Sequence, residues 1–190
     1  MGLYDIVRRN RSYRRFYQNE RINREELVSL VNLARLSASG QNKQALKFLI
    51  VNDPEACDRV FPSTMWAGYL EDWDGPQKGE QPAAYIIILG DTGLSNSFGV
   101  DHGIAAQSIL LGAAEKGYGG CMIGSIKKAK LRHDLEIPGK YEILLILALG
   151  KPKEKVVIDE VTDDDIKYWR DDKDVHHVPK RSLDDLITDL

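Results

Sequence analysis

The stretch Asp101–Gly124, DHGIAAQSILLGAAEKGYGGCMIG, decides the fold. Ile104, Ala105, Ser108, Leu111 and Gly112 fall on one face at helical spacing, and Ile109, Leu110, Ala113 and Ala114 make the rest apolar too. Asp101 is a residue type that caps a helix start, and Lys116-Gly117 suits a helix end. A helix that is apolar or small all round belongs inside a molecule, so the pattern predicts a central helix covered on nearly all sides. Gly117-Tyr118-Gly119-Gly120 then turns the chain into Cys121-Met122-Ile123, a short strand or extended turn.

Outward from that helix, apolar runs of strand length appear at Phe48–Val51, Ala84–Leu89 and Tyr141–Leu149. Turn residues such as Asn52-Asp53-Pro54 and Gly90-Asp91 close the first two. Helix patterns lie among them. Leu3 to Asn10 is short, and Asn23 with Glu26 forms a capping-box signature ahead of Leu27, Leu30, Val31 and Ala34. Pro54 to Val60 and the basic Lys127 to Leu135 complete the set. Residues 61–82 are irregular yet carry Trp66, Tyr69 and Trp73, too aromatic for a linker, and suit a lid or binding loop. From Lys151 the chain is highly charged with scattered apolar anchors, so it either wraps its own domain or reaches onto a partner subunit. The whole chain, 1–190, reads as a single domain.

Composition narrows the function. With 43% hydrophobic and 29% charged residues and a net charge of −3, the chain gives no reason to expect a nucleic acid or an anionic membrane as partner. No apolar run nears the roughly 20 residues a bilayer span needs. Cys57 and Cys121 read as reduced thiols of a cytoplasmic protein. His102, His133, His176 and His177 share no zinc-ligand spacing with the cysteines, so no metal is expected, and the His176-His177 pair points its side chains apart. Gly117-Tyr118-Gly119-Gly120 follows a helix rather than a strand, which is the wrong context for a dinucleotide fingerprint, and no phosphate-binding GxxxxGK[ST] occurs. Nothing marks a hydrolytic nucleophile with its base.

Two clusters remain. Arg11-Ser12-Tyr13-Arg14 ends the first helix, and Lys180-Arg181 stands in the tail. Basic runs are usually solvated faces, but guanidinium forks with a serine hydroxyl also suit a phosphate monoester. Downstream, Ser37–Phe48, SASGQNKQALKF, supplies hydroxyls and amides far beyond what a helix-to-strand connection requires. Phosphate site, polar loop and glycine-rich backbone together match FMN: charge, then ribityl chain, then flat ring.

These residues resemble the FMN-dependent nitroreductase family from Leu3 through Gly150 and again near Arg181. Arg11-Ser12-x-Arg14-x-Phe16 is similar to its N-terminal phosphate motif, and Ser39-x-x-Asn42-x-Gln44 to its PSxxNxQPW loop. The stretch Asp101–Gly124 is similar to its segment ending GLGSCWIG. Ala38, Ala45-Leu46 and Met122 depart from the family pattern, in positions that shape the substrate pocket. The resemblance implies an α+β fold: a central, mostly antiparallel sheet flanked by helices, in an intertwined homodimer. Residues from about 151 to 190 would form an arm on the partner subunit, with FMN at the subunit interface. It further implies that Arg11, Ser12, Arg14 and Arg181 hold the phosphate, and that Ser39, Asn42 and Gln44 contact the ribityl chain or ring edge. Backbone groups of Met122, Ile123 and Gly124 would face the ring. The expected activity is ping-pong hydride transfer from NADH or NADPH to a small acceptor such as a nitroaromatic or quinone, with no catalytic acid or base. The alternative is a flavin storage or sensor protein without turnover.

Overall fold

In the computed structural model, which describes residues 2–189, strands β1 (Leu46–Val51), β2 (Ala84–Asp91), β3 (Gly119–Ile123) and β4 (Tyr141–Gly150) form one sheet in the order β1-β2-β4-β3. Every pairing is antiparallel. Strand β2 shows why the sheet is buried on both sides. Its alternate residues Ile86 and Ile88 face one layer, and Tyr85, Ile87 and Leu89 face the other.

The first layer is made by α2 (Arg24–Leu36) and α4 (Asp101–Glu115), with Leu27, Leu30, Ala106, Ile109 and Ala113 against the sheet. The second holds α3 (Pro54–Val60) and α5 (Lys128–Asp134), whose Val60 and Leu131 are fully buried. Helix starts follow local chemistry. Asn23 Oδ1 accepts from the Glu26 amide at 2.8 Å, although only this half of the expected capping box forms, and Asp53 caps α3 in the same way at 3.0 Å. No helix among the described residues is long and apolar enough to cross a membrane.

Two expectations are corrected. Asp101 does not cap α4: the cap position is Val100, which offers no side-chain acceptor, and the Asp101 carboxylate is engaged elsewhere. Nor, within the single chain, is α4 covered on nearly all sides, because Gly103 and Gln107 are exposed and Ile104, Ser108 and Leu111 half-buried. The apolar count in the sequence was right, but small residues can face an uncovered surface as easily as a core.

The charged tail folds in part on its own chain. Strands β5 (Val156–Glu160), β6 (Trp169–Arg170) and β7 (His176–Lys180) make a second, three-stranded sheet in the order β5-β7-β6, with β5 and β7 parallel. The extended segment 11–17, which follows α1 (Leu3–Arg9), is wedged between β3 and the start of this tail. Ser12 bridges Gly120, Phe16 bridges Pro152, and the Tyr17 amide donates to the Lys151 carbonyl at 2.9 Å. Beyond β7, α6 (Leu183–Leu186) leaves Leu183, Leu186 and Ile187 more than 60% exposed.

The layers predict a contrast on one helix. Leu30→Ala, at a fully buried position, should lower unfolding free energy by about 2–5 kcal/mol in urea melts, while Val28→Ala, half exposed, should stay within about 0.5 kcal/mol.

Candidate functional site

Two adjoining cavities run along the exposed side of β3. The outer one, about 310 Å³, is lined by Arg11, Ser12, Gln107, Gly120, His176 and Lys180, among others. The inner one, about 270 Å³, is lined by Met65, Trp66, Cys121, Ile123, Gly124 and Ser125. Arg14, Met122 and Tyr168 line both, so the two form one elongated groove. Arg11 and Lys180 line its outer end, and Met65, Trp66 and the chain from Cys121 to Ser125 line its inner end.

The basic residues are placed by backbone pairing with β3. The Tyr13 amide donates to the Gly120 carbonyl at 3.0 Å, which fixes the direction of Arg11, Ser12 and Arg14. On its other flank Gly120 lies tight against β4, where a Cβ would sit 2.8 Å from the Ala148 carbonyl oxygen, so glycine is needed there. Arg11 donates through Nη2 to the Val7 carbonyl at 2.9 Å, while its Nε is buried without a partner. No carboxylate among the described residues forms a salt bridge with Arg11, and burial pulls its pKa below the usual arginine value. An uncompensated, partly desolvated guanidinium beside a serine and Lys180 suits an anion such as a phosphate.

Arg14 has a different environment. It is 8% exposed, its Cζ lies 4.5 Å from the Tyr168 ring centroid, and its Nη1 stands 2.9 Å from His176 Nε2. The segment itself is anchored by Glu154, whose fully buried carboxylate accepts from the Arg14 and Arg15 amides and pairs with Arg170 at 3.0 Å. Next to it Arg15 and Lys153 converge on Glu80 at 2.8 and 2.9 Å and hold its pKa down at about 2.

The aromatic loop 61–82 closes the inner end. Met65, Trp66, Ala67 and Gly68 supply its wall, and Tyr69 packs on Tyr168 with ring centroids 4.9 Å apart. Trp66 is tied back by Nε1 to Thr64 Oγ1 at 3.0 Å, and Arg170 lies 4.3 Å over the Trp73 ring. Trp66 therefore both packs against the core and lines the cavity.

The remaining site residues lie elsewhere. Ser39 and Gln44 line a separate cavity of about 280 Å³ between α2, β1 and the start of α4, and Asn42 is exposed beside it. Gln41, Asn42 and Gln44 all have positive φ, a conformation non-glycine residues seldom adopt. Ser39 holds it: its hydroxyl donates to Asp101 Oδ2 at 2.7 Å and accepts from the Gln44 amide at 3.0 Å, while Asp101 Oδ1 takes the Gly40 amide at 2.9 Å. Arg181 points away from the groove and pairs with the exposed Asp164 at 2.6 Å, leaving Lys180 as the tail cation that lines it. The sequence reading missed Tyr168 and His176 as lining residues. Only their position opposite Arg14 reveals them, since neither stands in a recognisable pattern.

Two substitutions check these anchors. Glu154→Gln should destabilise the fold by about 3–5 kcal/mol in denaturant, because Arg170 is left buried without its counter-charge. Asp101→Ala should leave global stability less affected but speed amide exchange at Gly40 and Gln44, measured by hydrogen–deuterium exchange.

Comparison with known proteins agrees with this architecture. The model of the family described as "Nitroreductase family" matches residues 7–151, more than half of the chain. YodC of Bacillus subtilis (strain 168), named as an NAD(P)H nitroreductase, is 24% identical over 177 residues, covering 77% of this chain and 88% of that one. Among solved structures, an FMN-dependent nitroreductase from Clostridium difficile R20291 is 23% identical with a TM-score of 0.64, covering 84% of this chain and 91% of the other. A nitroreductase from Exiguobacterium sibiricum 255-15, solved in complex with FMN, is 20% identical with a TM-score of 0.68, covering 90% and 98%. With a family match across its core and the same fold in both solved structures, this chain belongs to the nitroreductase family.

Proposed function

We propose that this chain uses NADH or NADPH to reduce a small acceptor, a nitroaromatic, a quinone or a related molecule, by a ping-pong sequence on bound FMN. The family supplies the general class, an NAD(P)H-dependent FMN oxidoreductase. The observation that carries the assignment on this chain is the placement of basic residues at one end of the groove. An unpaired buried Arg11 Nε and Lys180 lie at one end, and the backbone of Met122, Ile123 and Gly124 at the other. Bound in this groove, FMN would supply the hydride-accepting and electron-returning chemistry, with Arg11, Ser12 and Lys180 holding its phosphate.

The chain's own residues bind, orient and exclude water. Arg11, Ser12 and Lys180 would hold the phosphate, and Arg14 brings positive charge to the middle of the groove. Backbone groups of Met122, Ile123 and Gly124 would face the ring, beside Met65 and Trp66, which line the same end. No side chain is asked to act as acid or base.

Ser39, Asn42 and Gln44 cannot reach the same groove from within one chain, because they line a different face. In a homodimer with FMN at the interface, a second copy would bring them to it. The uncovered stripe of α4 and the exposed Leu183, Leu186 and Ile187 of the C-terminal arm favour the same assembly. Two buried, free cysteines suit a cytoplasmic enzyme.

Purified protein should bind FMN, and anaerobic NADH or NADPH should bleach the flavin absorption band. If FMN binds but neither nicotinamide bleaches it, the storage or sensor reading replaces the enzyme. Arg11→Ala combined with Lys180→Ala should weaken FMN binding at least about a hundredfold, as two charge-assisted hydrogen bonds are lost. Unaltered affinity would show the phosphate end to be misplaced.

A further inference from the structure

We infer that His176 is a positioning residue for this site: its imidazole accepts a hydrogen bond from Arg14 and fixes the guanidinium where the two compartments of the groove meet. The inference rests on the cofactor reading above. His176 lies on β7, 162 positions further along the chain than Arg14, and is fully buried. Arginine has donors only, so at 2.9 Å the contact requires Nε2 to accept. The ring must then be neutral, with its proton on Nδ1.

The surroundings enforce that state. Arg14 faces the ring from the N-terminal segment, Arg170 from β6 and His177 from its own strand, while the Tyr168 ring lies 5.3 Å away. Glu154, the nearby carboxylate, is already committed to Arg170 and to the Arg14 and Arg15 amides, so it offers the imidazole no ion pair. Burial, followed by the charges of Arg14, Arg170 and His177, pushes the His176 pKa down to about 4. Protonation would remove the acceptor and set two cations face to face. The Nδ1 atom is buried and has no partner, an unfavourable way to fill a core unless the other nitrogen is needed. With Tyr168 stacked on one face and His176 at its edge, Arg14 is fixed in place before any ligand arrives.

The test has two arms. In the first, long-range nitrogen–proton NMR of the ¹⁵N-labelled full chain without FMN should show His176 as the neutral Nδ1–H tautomer down to about pH 5. An Nε2–H tautomer or a protonated ring at neutral pH would overturn the inference. In the second, FMN affinity is measured for His176→Phe, which keeps an aromatic ring but cannot accept, and His176→Gln, whose amide oxygen can. Phe should weaken binding about tenfold or more, and Gln less than about threefold. Phe added to Arg14→Ala should cost nothing further, since the histidine acts only through the arginine. Phe binding FMN as tightly as wild type, or Gln failing to restore what Phe loses, would also overturn it. If no variant, wild type included, binds FMN, the cofactor reading fails, while the tautomer measurement still decides whether Arg14 is held this way.

Discussion

The carboxylate of Glu154 is the contact on which the site depends. It accepts from two successive backbone amides, Arg14 and Arg15, and pairs with Arg170, joining the N-terminal segment to the tail at a point shielded from water. A buried carboxylate is costly unless fully engaged, and here three donors engage it. Segment 11–17 has no helix or long strand to define its path. Its direction comes from this anchor, the Ser12–Gly120 bridge and the neighbouring Glu80 cluster. Without them the arginines would be the solvated basic run that they are in most sequences.

A division of labour follows. Residues that would touch a ligand are held by others that would not: Arg14 by His176 and Tyr168, the Ser39 loop by Asp101, the inner wall by Trp66 and its bond to Thr64. Asp101 is the clearest case. A residue type suited to capping its own helix instead spends both oxygens on a loop 61 and 62 positions earlier. Three left-handed residues within that loop are tolerable only because its backbone amides have fixed partners.

Much of this was legible in the residue order. Strand runs at Phe48–Val51 and Ala84–Leu89 fall inside β1 and β2, and the Pro54–Val60 helix matches to the residue, because local period and turn chemistry act over a few positions. Arg11, Ser12, Arg14 and Met122, named from the sequence, line one groove. The features that local pattern did not reveal share one cause, dependence on partners elsewhere in the chain. Arg181 turns to Asp164, Asp101 turns to Ser39, and Tyr168 and His176 enter the groove through strand pairing in the tail.

The sequence by itself determined the alternation of apolar runs and helical faces, and hence buried strands among helices, together with the set of basic and amide side chains a phosphate-bearing ligand would need; that the strands form an antiparallel sheet between helix layers came from the family resemblance. Tertiary structure alone decided which of them meet. It placed Lys180 rather than Arg181 at the groove, set His176 against Arg14, and separated Ser39 and Gln44 from both. The physical reason is range: propensity and period act along a few residues, whereas burial, counter-charge and hydrogen-bond satisfaction are settled between segments that meet only when the chain folds.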